Sequence, residues 1–152
     1  MWLRSICMKN YPEISELNKN SKFKYKLGEE NSNILQDNNE TFEKINNYMS
    51  LDFYIPSLKE IKQIIKFYGF PTDEDDRCLA SYYTTSVNEN VFGIEIGTDI
   101  SKAEEVLLSY GYSKNENVFS KGKIKIEFDS DSNKIVSFEI SLDSKYLGNR
   151  LY

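Results

Sequence analysis

The chain has 152 residues, 39% of them apolar and 14% aromatic, with a formal net charge of −5 and no histidine. That length supports one domain with its own core, and this much ring is too much for a disordered chain. The acidity disfavours direct nucleic-acid binding and an anionic membrane surface, and without histidine no Ser-His or Cys-His couple can form.

The charge is local. Residues 51–100 carry nine acidic and four basic side chains, whereas the segments on either side are balanced. The excess centres on the run Asp73, Glu74, Asp75 and Asp76. The two cysteines, Cys7 and Cys78, are too few for a disulfide scaffold or a zinc site. They read as reduced thiols, with Cys78 buried on a helix. The start, Met1 to Met8, is mildly apolar but too short for a signal core, and no stretch is long enough to span a membrane. The expected location is the cytoplasm.

In chain order, residues 1–50 hold nine asparagines, which favour turns and caps. Phe23, Tyr25 and Leu27 alternate with Lys22, Lys24 and Lys26, a half-buried strand pattern ended by Gly28. Phe42, Ile45 and Met49 have helical spacing. Leu51, Phe53 and Ile55 suggest a short strand ending at Pro56. Ser57-Leu58-Lys59-Glu60 matches a capping box, in which serine and glutamate oxygens satisfy orphan amide donors. The stripe Leu58, Ile61, Ile65 and Tyr68, stopped by Gly69, then predicts a helix.

A second helix, begun by Thr72 to Asp75, would bury Leu79, Tyr82 and Tyr83, and the short Phe70-Pro71 link makes the pair an αα-hairpin. From Val91 the period changes to two, with Phe92, Ile94 and Ile96 facing one way. Ser101 to Glu104 is another capping box, with Ala103, Val106, Leu107 and Tyr110 as the apolar face and Gly111 as the stop. Ile124, Ile126 and Phe128, then Val136, Phe138, Ile140 and Leu142, form an antiparallel hairpin. The expected fold is therefore α+β, an antiparallel sheet packed against several short helices. Residues 1–152 make one domain, with an Asn-rich part over 1–50 and a helix-and-sheet part over 51–152.

Two features suggest internal similarity. Both expected helices end in aromatic-Gly-aromatic, and Asn-Glu-Asn-Val-Phe occurs at 88–92 and again at 115–119. The two offsets differ, so they do not define one repeat. Asp129 to Asn133 has the opening spacing of a calcium loop, but Lys134 stands where glycine is needed and Ile140 where a bidentate glutamate is needed. A hairpin turn accounts for it, and neither a metal nor a cofactor is expected.

The segment from Gly97-Thr98-Asp99-Ile100-Ser101-Lys102-Ala103-Glu104-Glu105-Val106-Leu107-Leu108 to Gly111, with the hairpin after it, resembles the helix-and-hairpin modules of SmpA/OmlA outer-membrane lipoproteins and of β-lactamase-inhibitor-like proteins. The resemblance covers roughly residues 92–142. It implies a binding module, not an enzyme, and carries over no functional residue. In composition the whole chain resembles bacterial toxin-immunity proteins.

The leading expectation is a protein-binding inhibitor that masks a toxin by occlusion. Asp73, Glu74, Asp75 and Asp76 would face a basic partner, such as a nuclease toxin, with Tyr82 or Tyr83 as the anchor. The alternatives are an envelope-associated module and a carboxylate-dependent enzyme.

Overall fold

The computed structural model describes the backbone of residues 11–29, 43–46, 50–57, 60–68 and 78–143, and side chains within 11–29 and 78–143. Its centre is an eight-stranded antiparallel sheet. The strands are β1 (Glu43–Asn46), β2 (Ser50–Ser57), β3 (Glu60–Tyr68), β4 (Cys78–Thr84), β7 (Ser113–Asn115), β8 (Val118–Lys121), β9 (Ile124–Asp131) and β10 (Lys134–Leu142), in the order β1-β2-β3-β4-β10-β9-β8-β7. A separate two-stranded ribbon joins β5 (Asn90–Val91) to β6 (Ile94–Glu95). The helices are α1 (Pro12–Asn20) and α2 (Ile100–Ser109).

The topology divides into two similar halves. Each is a helix followed by a four-strand meander, and the last strand of each, β4 and β10, pair antiparallel at the centre. The α+β class therefore holds, but the molecule is sheet-dominated.

Three expected helices are strands. Ile61, Ile65 and Tyr68 of the first stripe lie on β3, Ile45 lies on β1, and Leu79, Tyr82 and Tyr83 lie on β4, so no αα-hairpin forms there; Leu58, Phe42, Met49 and Thr72 to Asp75 lie outside the described residues. The reason is visible in the residues. Ile61, Ile64, Ile65, Phe67 and Tyr68 satisfy a helical spacing, but β-branched and aromatic side chains suit a pleated surface better. Two flanking strands also satisfy the backbone of β3, which pairs with β2 along its length and with β4 from Gln63 to Tyr68. The strand expected to stop at Pro56 runs through it with a register shift, the sheet position that proline tolerates.

Other expectations hold in modified form. Helix α2 forms with Ala103 and Leu107 buried, but Asp99 is its N-cap residue and Ser101 lies inside the helix. Gly111 follows the helix at a φ of +90°, which an L side chain resists. The β9–β10 hairpin is present, its Ser132-Asn133 turn having both φ angles positive. Residues 22–28 alternate in burial as expected but form one isolated β-bridge, Lys22 to Asn90, rather than a strand of the sheet.

One core unites the described parts. Ile14 and Leu17 of α1 and Ala103 and Leu107 of α2 pack with Tyr82, Phe119, Ile124, Ile126, Phe138 and Ile140 from the sheet. Near the end of β10, Gly28 and Glu29 take over pairing with β4: the Gly28 amide donates to the Leu79 carbonyl, and the Leu79 amide to the Glu29 carbonyl, each at 2.8 Å. Helix α1 is fastened to the β8–β9 turn. Glu13 accepts the Lys123 backbone N–H at 2.9 Å, and Glu16 pairs with Lys121 at 2.9 Å.

Candidate functional site

Alternation sorts the described strands into two faces. Tyr82, Thr84, Phe119, Ile124, Ile126, Phe128, Phe138 and Ile140 turn towards the helices, which leaves the intervening residues on the other face. Among the described residues no helix covers that second face, although Ser81 and Ser137 on it are buried, at 6% and 3% exposure.

The second face is polar, and register sets its rows. One row runs Ser113, Ser120, Lys125, Ser141 and Ser81 across five strands. The next runs Asn115, Val118, Glu127, Glu139 and Tyr83. Asp129 stands opposite Ser137 in a third. Two hydroxyls orient the carboxylates: Ser81 Oγ donates to Glu139 Oε2 at 2.9 Å, and Ser137 Oγ donates to Asp129 Oδ2 at 3.1 Å.

Glu127 and Glu139 are direct cross-strand partners. Like charges in that relation repel, at a cost of a few tenths of a kcal/mol to about 1 kcal/mol. No described cation bridges them, since the lysines with described ion pairs, Lys114, Lys121 and Lys134, engage Glu104, Glu16 and Asp99. A cationic group arriving from outside would relieve this repulsion.

The residues singled out in the sequence are separated by the structure. Asp73, Glu74, Asp75 and Asp76 lie outside the described residues. Tyr83 is half-buried on the second face, beside Glu139. Tyr82 faces the core at 0% exposure, so as placed it cannot anchor a partner. Strand geometry explains the split: successive side chains point to opposite faces, whereas a helix would have put both tyrosines on one side.

Tyr82 instead belongs to a buried polar cluster. Its hydroxyl donates to Glu89 Oε2 at 2.5 Å, Thr84 Oγ1 donates to Glu89 Oε1 at 2.6 Å, and the Lys24 amide donates to Glu89 Oε2 at 2.7 Å. Burial, with the Glu89 carboxylate beside it, pushes the Tyr82 hydroxyl far above the usual tyrosine range. This arrangement ties the extended 21–27 segment to the sheet and reads as structural.

A cavity of about 260 Å³ lies beside α2, with Phe119 and Phe128 in its lining and the Glu104–Lys114 ion pair at 3.0 Å on its wall. Among the described residues no group of His, Cys, Asp and Glu is arranged to hold a metal. Asp131 and the turn after it form the end of a hairpin.

Sequence reasoning placed no function on Glu127 or Glu139. The signal was present, because both sit at solvent-facing positions of the expected hairpin. Pairing their numbers required the register, which includes a shift between Ile135 and Ser137.

Cys78 also departs from expectation. It is disulfide-bonded, not a thiol, and lies buried on a strand, not a helix. Comparison with known proteins adds no family: no family model, curated protein or solved structure matches the chain.

Proposed function

We propose that this chain is a protein-binding inhibitor acting by occlusion, in the manner of an immunity protein that neutralises a toxin. The polar sheet face, exposed at Glu127 and Asp129, would lie against a basic surface of the partner. The observation that carries this reading is the Glu127–Glu139 pair, two like charges held opposite each other, Glu127 exposed and Glu139 half-buried. Tyr83 adds an amphipathic ring to the same row. The acidic run Asp73 to Asp76 remains in the proposal as a second acidic patch.

The test is made with a basic protein that co-purifies with the full chain and whose activity can be assayed. The complex should be inactive, and the double reversal Glu127→Arg with Glu139→Arg should weaken binding at least 100-fold and restore the partner's activity. A complex that keeps full activity, or binding untouched by the reversal, overturns the proposal. An envelope-associated binding module is the second reading, favoured by the disulfide at Cys78.

A further inference from the structure

We propose that the Cys78 disulfide is made in an oxidising compartment, and that the protein folds there and not in the reducing cytosol. Three observations carry this. Cys78 is bonded, so the described residues contain no free cysteine. It is 2% exposed, which shields its sulfur from soluble reductants. It also opens β4, the strand through which the two halves of the sheet meet, so the bond anchors the centre of the fold, not its fringe.

The sequence restricts the partner. It contains two cysteines, so a bond within one chain joins Cys78 to Cys7 and closes a loop of about 70 residues. Bridging so long a loop removes much of the freedom of the unfolded chain. Both thiols are consumed, as in proteins kept where free thiols oxidise. The chemistry needs an oxidant, here a protein or small-molecule disulfide donor. One cysteine thiolate attacks a donor sulfur to give a mixed disulfide and releases the first donor thiol. The second cysteine thiolate then displaces the other donor sulfur. The two cysteines lose two protons and two electrons in all, and the donor leaves as two thiols.

This inference does not need the binding reading, and the two fail separately: one concerns thiol state, the other a complex. In the native host, cells are quenched with acid and free thiols capped with a 5 kDa maleimide polymer. The expected result is no adduct before reduction and two after it. Two adducts without reduction overturn the proposal. On the purified full chain, reduction with dithiothreitol in denaturant, followed by refolding with the reductant present, should lower Tm by about 10 °C. Cys7→Ser should show a similar fall by itself and no further change with dithiothreitol. This variant leaves the packed position 78 untouched, so it separates loss of the bond from a damaged core. An unchanged Tm on reduction, or a dimer that reduction splits into monomers, also overturns the proposal.

Discussion

The pentapeptide Asn-Glu-Asn-Val-Phe folds in two ways in this molecule. At 88–92 its glutamate is buried among three donors, and its phenylalanine occupies a turn at a φ of +51°. Phe92 is held there by stacking on Tyr110 at 4.1 Å and by its amide donating to Ser21 Oγ at 2.9 Å. At 115–119 the glutamate makes the turn, exposed at a φ of +58°, and the phenylalanine packs from β8 edge-on against Phe128. Five identical residues thus place the turn at opposite ends. What differs is the neighbourhood: in the first copy Tyr82 and Thr84 await a carboxylate, and in the second β9 awaits a strand partner. Tertiary satisfaction decides the local backbone, and the strain of a bulky residue at positive φ is carried by the contacts that need it there.

The comparison can be broken by experiment. The largest effect is expected from Phe119→Ala, which empties a core position and should cost about 3–5 kcal/mol in chemical denaturation. Next comes Glu89→Ala. It strands two buried hydroxyls and a backbone amide, and should cost about 2–4 kcal/mol, whereas Glu116→Ala should change stability by less than about 0.5 kcal/mol. Equal effects at 89 and 116 would refute the contrast.

Alkali probes the same cluster. Burial first, and then the nearby Glu89, raise the Tyr82 hydroxyl well above its unfolded value of about 10; burial, with Glu16 and Glu13, does so for Tyr112. In the unfolded chain these tyrosines ionise first, so the folded state binds more protons. The stability they contribute is intact below pH 10 and is lost as pH rises above it, by up to about 1.4 kcal/mol per pH unit for each tyrosine. Denaturant midpoints at pH 9 and pH 11 would show the fall, and a flat profile would count against the buried hydroxyls. The smallest effect is a gain. Glu116→Gly removes a side chain from a positive-φ turn and should raise stability by about 0.5–1 kcal/mol, read as an increase in Tm.

Legibility from sequence followed how many partners a segment needs. The β9–β10 hairpin and helix α2 are readable because a turn, an alternation and a glycine stop lie within a few residues of one another. Helix α1 escaped notice because it has only two buried residues, Ile14 and Leu17, and no side-chain cap. Strands β7 and β8 are three and four residues long, too short for a period to show. Residues 58–68 misled, because their isoleucines satisfy a period of 3.6 as well as a pleat and the choice lies in flanking strands distant in sequence. The same applies to the polar face. Its composition is visible along each strand, but the opposition of Glu127 and Glu139 belongs to the pairing between them.

The attachment of α1 to the Lys121–Lys123 turn has a consequence for how the molecule is made. A helix near the start of the chain gains its polar partners from a turn near the end. The central strand β4 also waits for β10. On a ribosome, therefore, the first half emerges without the surface that completes it. Such non-local pairing is slow to form and leaves strand edges exposed in the interval. Assembly should come late and all at once, after the closing hairpin is free to dock.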